Sequence, residues 1–212
     1  MPTQVKICGL TREADVRAAD MAGADYLGFV MAPSPRRILP TLAARISDGV
    51  RAKRVAVVAN PTESELDAIM ADFAPDLVQF HGDESVEAVM STSSHYGVGV
   101  VKAVAIRGRA DLVRAERFAA SDFLLLDAKP PEGATVRGGH GTRFDWSLLA
   151  GWPRPRLWAL AGGLTSTTVA DAIVQTRAPI VDTSSGVETV PGIKDPALIA
   201  AFVNAAKSAT EN

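Results

Sequence analysis

Several apolar runs in this chain end on residue types that can do chemistry. They are Lys6-Ile7-Cys8-Gly9, Gln79-Phe80-His81-Gly82, Leu125-Leu126-Asp127, Leu160-Ala161-Gly162-Gly163 and Asp182-Thr183-Ser184-Ser185-Gly186. A thiol, an imidazole and a carboxyl can each move a proton to or from a substrate. Turns rich in Gly and Ser offer backbone N–H groups to an anion. If each run is a strand, its side chains alternate with period two. Lys6 then shares a face with Cys8, Gln79 with His81, and Asp182 with Ser184. Taken singly, each also has a plain structural use: Cys8 as a buried thiol, Asp127 as a loop cap, His81 as a hydrogen-bonded wall residue. His95 and His140 read as surface or loop positions. Arg36 stands in Pro33-Ser34-Pro35-Arg36-Arg37, just after the second apolar run. A planar guanidinium there suits a carboxylate held bidentately.

The runs that carry these residues begin near Gln4, Tyr26, Arg54, Leu77, Gly99, Asp122, Leu157 and Pro179. Each has the length and the Val, Ile and Leu content of a strand buried on both faces. Segments of helical period lie between them. Thr62 ahead of Glu63-Ser64-Glu65 predicts an N-cap with a carboxylate three residues on. Leu66, Ile69, Met70 and Phe73 then form that helix's inner stripe. Asp195-Pro196 opens a last helix, with Leu198, Ile199, Phe202 and Val203 turned inward.

Eight strands, each followed by a helix, require a parallel sheet, because every crossover returns the chain to the same end. The spacing is near-equal except between Asp122 and Leu157. That interval holds Lys129-Pro130-Pro131-Glu132-Gly133 and Gly138-Gly139-His140-Gly141, too rich in Gly and Pro for a helix. A doubly wound open sheet is the rival architecture. Near-equal units favour a closed (β/α)8 TIM barrel, one α/β domain over residues 1–212. Active sites of such barrels lie at the C-terminal ends of the strands, where the reactive side chains fall. Closure makes strands one and eight neighbours, so Lys6 and Asp182 are expected as a buried pair. Turns after strands seven and eight are the common phosphate site of a barrel, so a phosphorylated small molecule is the expected partner.

Composition narrows the function classes. The 212 residues carry 22 Lys+Arg against 24 Asp+Glu, a net charge of −2. That balance offers no electrostatic reason for a nucleic-acid or anionic-membrane partner. At 47% apolar residues, the chain has enough apolar content to order itself. Its single cysteine makes no internal disulfide. No window approaches ~18 uninterrupted apolar residues, and no targeting segment is apparent, so a cytoplasmic protein is expected, monomer or homodimer.

The motifs together resemble the phosphoribosylanthranilate isomerase family of the tryptophan pathway. The matching segments are KICGLT at 6–11, GADYLGFV at 23–30, SPRRI at 34–38 and VQFHGDE at 78–84. LLLDAKPP at 124–131, GGHGTRFDW at 138–146, LAGGL at 160–164 and VDTSSGVE at 181–188 follow in order. The resemblance implies a cofactor-free, metal-free Amadori rearrangement of N-(5-phosphoribosyl)anthranilate to 1-(2-carboxyphenylamino)-1-deoxyribulose 5-phosphate. By motif position, Asp127 is the expected general acid and Cys8 the general base. Arg36 matches the arginine used on the anthranilate carboxylate. Gly162, Gly163, Ser184, Ser185 and Gly186 match the phosphate cradle, and Gly141 is assigned with them. Lys6, Gln79, His81 and Asp182 complete the pocket. His140, Met31 and Arg37 depart from residues commoner at those positions.

The chemistry suits these residue types. Opening the ribose ring needs a proton on its ring oxygen while the anilino nitrogen pushes out electrons. A base then takes the C2′ proton, and the positive iminium is its own electron sink. A buried Lys6 beneath the thiol, or developing substrate charge beside it, is what could favour the thiolate. Other phosphate-binding barrels fit less well. A metal-dependent epimerase needs converging His and carboxylate ligands, and His81 is the only histidine at a strand end. Indole-glycerol-phosphate synthase is expected to place Lys and Glu at several strand ends. The histidine-pathway isomerase has an aspartate base where this chain has Cys8. A non-catalytic phospho-ligand barrel would keep the turns without needing an acid and a base.

Overall fold

The computed structural model describes residues 2–128, 144–155 and 157–209, so His140 and Gly141 lie outside the described residues. Eight parallel strands close into a barrel. They are β1 (Gln4–Cys8), β2 (Tyr26–Val30), β3 (Lys53–Val58), β4 (Leu77–Phe80), β5 (Gly99–Ile106), β6 (Phe123–Ala128), β7 (Trp158–Leu160) and β8 (Ile180–Thr183). The expected strand starts are met within one residue. Every strand pairs with the next, and β8 closes on β1 with Gln4 opposite Ile180 and Lys6 opposite Asp182.

The period-two alternation splits the apolar residues into two layers. Tyr26, Val55, Val57, Leu77, Leu125 and Ile180 face one another inside the barrel, together with Cys8. Their chain neighbours Leu27, Ala56, Val78 and Leu126 point outward onto the helices. Burial on both faces explains why these runs read as continuous Val, Ile and Leu. Each fully buried aliphatic side chain contributes about 1.5–3 kcal/mol.

The outer helices are α1 (Glu13–Ala22), α2 (Pro40–Ile46), α3 (Glu63–Asp72), α4 (Val86–Tyr96), α5 (Arg109–Glu116), α6 (Val169–Thr176) and α7 (Pro196–Ser208). Thr62 caps α3 reciprocally: its hydroxyl accepts from the Glu65 amide at 3.2 Å, and Glu65 accepts from the Thr62 amide at 2.8 Å. Asp195 caps α7 through the Ala197 amide at 2.7 Å. Within the α3 stripe Leu66, Ile69 and Phe73 are buried, whereas Met70 is only half-buried.

Two expectations need correction. A helix does not simply follow every strand. Among the described residues, β6 and β7 are separated only by a short 3-10 turn, Trp146–Leu149. Pro153 and Pro155 follow closely, and prolines both lack an N–H and block the preceding helical turn. After β8 the chain makes a 3-10 turn at Ser185–Val187. It then doubles back as an antiparallel pair, β9 (Glu188–Val190) with β10 (Ile193–Lys194), before α7 begins. The second correction concerns α7, whose buried stripe is Ile199, Phe202, Val203 and Ala206. Leu198 is 37% exposed, because its position lies on the flank of that 3.6-residue stripe. Among the described residues, no helix is long and apolar enough to cross a membrane.

Candidate active site

The C-terminal ends of the strands surround a cavity of about 240 Å³ whose walls include Cys8, Arg36, His81, Asp127, Asp182 and Ser184. Cys8 reaches it from the inward face of β1 and Asp127 from the end of β6, whereas Lys6, expected in the pocket, is fully buried one layer lower and does not line the cavity. The strands therefore bring the proposed base and acid to one space, from opposite sides of the barrel.

Lys6 is fully buried and donates to Asp182 Oδ1 at 2.7 Å, as the register of β1 and β8 demands. Burial opposes its charge, but Asp182, helped by Cys8, outweighs burial and holds the ammonium above its ordinary range. At Cys8 burial and the neighbouring lysines act in opposite directions. Burial pushes its thiol up, and Asp182 adds to that, against the pull of Lys6 and Lys194. Desolvation of the sulfur is larger than the attraction of the lysine below it, which favours the thiol form.

On the opposite wall, Gln79 Nε2 and His81 Nδ1 lie 3.1 Å apart. His81 Nε2 lies 3.5 Å from Asp127 Oδ2. When the Gln79 amide donates to Nδ1, the neutral ring carries its proton on Nε2, facing the Asp127 carboxyl. Gln79 Oε1 is buried without a partner among the described residues. The period-two expectation that Gln79 and His81 share a face is met.

The two Gly- and Ser-rich turns adjoin each other. Gly162 and Gly163 have φ of +94° and +63°, a left-handed conformation that favours glycine. Among the described residues, their amides donate to no protein acceptor. Gly186 packs so closely on the Leu164 carbonyl that a Cβ would overlap it. Thr183 Oγ1 donates to that same carbonyl at 2.8 Å, which stitches the β7 and β8 turns together. Ser184, Ser185 and Gly186 are half-buried beside them.

Arg36 lies on the cavity wall, but it is neither solvated nor idle. It is buried, and Glu188 holds it bidentately through Nε at 2.8 Å and Nη2 at 2.7 Å. The same carboxylate accepts from the buried Lys194 Nζ at 2.7 Å. Sequence reasoning missed both Glu188 and Lys194. Nothing local in Val187-Glu188-Thr189 indicates that the chain doubles back and aims this carboxylate at a loop more than a hundred residues earlier. The one usable signal was chemical, since an arginine buried at an active rim needs an anion. Among the described residues, no three His, Cys, Asp or Glu side chains converge as metal ligands would.

The profile of the "N-(5'phosphoribosyl)anthranilate (PRA) isomerase" family matches residues 5–205. The N-(5'-phosphoribosyl)anthranilate isomerase of Rhodospirillum rubrum is 49% identical over 97% of this chain and 98% of its own length. That of Hyphomonas neptunium is 46% identical over 98% and 99%. Among solved structures, phosphoribosyl anthranilate isomerase from Thermotoga maritima superposes with a TM-score of 0.88, at 38% identity over 97% of this chain and 99% of that one. A phosphoribosyl anthranilate isomerase in complex with reduced 1-(o-carboxyphenylamino)-1-deoxyribulose 5-phosphate gives 0.85, at 34% identity and the same coverage. The chain is an isomerase, a member of the N-(5'-phosphoribosyl)anthranilate isomerase family.

Proposed function

We propose that this chain converts N-(5'-phosphoribosyl)anthranilate to 1-(2-carboxyphenylamino)-1-deoxyribulose 5-phosphate in tryptophan biosynthesis, with Asp127 as general acid and Cys8 as general base. The single observation that carries this reading is the placement of Cys8 on β1 and Asp127 on β6 around one cavity that Arg36 and Ser184 also line. A relative of the same fold binds the reduced form of that product.

The reaction follows from the order of the groups. Asp127 gives its proton to the ribose ring oxygen as the C1′–O bond breaks, and the anilino lone pair forms the iminium. Cys8 then removes the proton on C2′, and those electrons neutralise the iminium as an enolamine. The enol proton leaves the C2′ hydroxyl and a proton is returned to C1′, so the ketone is an isomer of the starting aminoaldose. His81 faces the Asp127 carboxyl and orients it. Burial pushes the Cys8 thiol up and so favours its protonated form. The positive iminium, adding to Lys6 and Lys194, favours the thiolate at the step that needs it. Each of the two proton transfers contributes about 10²–10⁴-fold.

The turns at Gly162-Gly163 and Ser184-Ser185-Gly186 supply amides to the 5′-phosphate. Gly141 is assigned there too, although it lies outside the described residues. Arg36 receives the anthranilate carboxylate through the guanidinium edge that Glu188 leaves open. The setting is cytoplasmic, and the partner is a phosphorylated small molecule taken up by a monomer or homodimer. The test is direct: purified protein should abolish the fluorescence of phosphoribosylanthranilate catalytically. A stoichiometric change without turnover would identify a binder instead.

A further inference from the structure

Glu188 and Lys194 stand behind the cavity wall and join Arg36 to the Ser184 turn. Lys194 is fully buried, and all three of its ammonium hydrogens have acceptors: the Ser184 carbonyl at 3.0 Å, Ser184 Oγ at 3.2 Å and Glu188 Oε1 at 2.7 Å. Glu188 in turn spans Arg36 Nε and Nη2, and its Oε1 also accepts from the Gly192 amide at 3.2 Å. Arg36 and Ser184 themselves meet across Gly9. A Cβ at Gly9 would lie 2.5 Å from Arg36 Cδ and 2.9 Å from Ser184 Oγ. The guanidinium is thus gripped on its Nε–Nη2 edge. Its Nη1 group and one Nη2 hydrogen remain without a partner among the described residues, on a side chain that lines the cavity.

We infer that the Glu188–Lys194 pair is a positioning bridge that fixes the free edge of Arg36 relative to the Ser184 turn. A ligand carrying both a carboxylate and a phosphate is then read as one rigid pair of anions. Two cations share one carboxylate, so the cluster keeps one net positive charge, which a second carboxylate at the open edge neutralises. A guanidinium on a flexible loop would lose rotamer freedom on binding, whereas one clamped beforehand has already lost it. The inference rests on the proposed assignment of Arg36 to the carboxylate and of Ser184 to the phosphate end.

The experiment uses two probes on the full chain. One is reduced 1-(o-carboxyphenylamino)-1-deoxyribulose 5-phosphate, and the other is its counterpart lacking the carboxylate. Calorimetric Kd values are compared for the wild type, Lys194→Met and Glu188→Gln. The wild type should prefer the carboxylate-bearing ligand by roughly 10- to 100-fold, as expected of a charge-assisted contact. Both variants should lose at least about tenfold of that preference while binding the carboxylate-free ligand within about threefold of wild type. Glu188→Gln is nearly isosteric and decides the matter if Lys194→Met does not fold. A merely structural role would weaken both ligands by the same factor, which overturns the bridge. An unchanged or increased preference overturns it too. A wild-type protein without the preference overturns the carboxylate assignment together with the bridge, whereas a wild type that has it and variants that keep it overturn the bridge alone.

Discussion

Lys6 and Asp182 sit directly opposite each other in the register of β1 and β8, with their charged atoms 2.7 Å apart and the Lys6 side chain wholly out of water. Removing one partner strands the other charge in a low-dielectric interior. Lys6→Met should therefore destabilise the protein by about 3–5 kcal/mol, measured by urea unfolding near neutral pH. The pair also sets a pH dependence. Burial opposes the Lys6 charge, Asp182 outweighs it, and the folded pKa lies above the ordinary 10.5. A group that binds its proton more tightly when folded contributes fully below its unfolded value and loses that contribution as pH rises through the folded one. Wild-type stability should thus fall as pH climbs past 10.5, and Lys6→Met should lack that part of the slope. An unaltered alkaline slope in the variant would remove the pair from this role.

Asp127→Asn and Cys8→Ser should each lower kcat by about 10²–10⁴-fold with small changes in KM, because in the proposed mechanism both groups act only as protons move. Steady-state fluorescence assays read both parameters. Near-normal turnover in either variant would strip that residue of its assignment.

Burial and Asp182 push the Cys8 thiol above its ordinary 9.0, while Lys6 pulls it back. Alkylation of the ligand-free protein by iodoacetamide should therefore rise with a midpoint above 9.0, and Lys6→Met should move that midpoint higher still. A midpoint below the ordinary value would mean that the lysine dominates over desolvation.

Gln79 offers a case in which stability and activity should part company. Its Nε2 bonds the His81 ring, but its Oε1 is buried without a partner among the described residues. Gln79→Met loses a bond worth about 0.5–1.5 kcal/mol and removes an orphan acceptor costing about 1–3 kcal/mol. The melting temperature should hold or rise. Turnover should drop by about tenfold, since nothing then selects the His81 tautomer that faces Asp127. Equal losses in both would show that Gln79 serves packing alone.

Gly186 has no room for a side chain against the Leu164 carbonyl. Gly186→Ala should force the β7 and β8 turns apart, costing about 1–3 kcal/mol of stability. It should also weaken competitive inhibition by inorganic phosphate by about tenfold, a loss of the size expected for a charge-assisted contact. Unchanged inhibition would place the phosphate elsewhere.

The barrel and most of its site were legible because period-two alternation leaves little freedom. Once β1 is a strand buried on both faces, Lys6 and Cys8 share the inner face, and closure sets Asp182 beside Lys6. Arg36 was legible as a rim residue but not as an engaged one. Its partner comes from the β9–β10 hairpin, whose short strands carry no strong hydrophobic period. The protonation of Cys8 was not legible in the sequence for a related reason. Local order shows which charge lies near the sulfur, but only the packed interior shows how much water has been taken from it.

The closing contact between Lys6 and Asp182 spans 176 residues of chain. A chain leaving the ribosome presents Lys6 and Cys8 first, long before the strand that neutralises the lysine exists. Glu188 and Lys194 emerge later still, so the guanidinium grip forms only after the β9–β10 hairpin has emerged. Contacts this far apart in sequence make for slow closure, because the entropy of joining the ends is spent before the seam rewards it. Catalytic competence should therefore appear only once β8 and the β9–β10 hairpin have emerged, and a nascent chain stopped before β8 would hold a charged lysine that Asp182 does not yet answer.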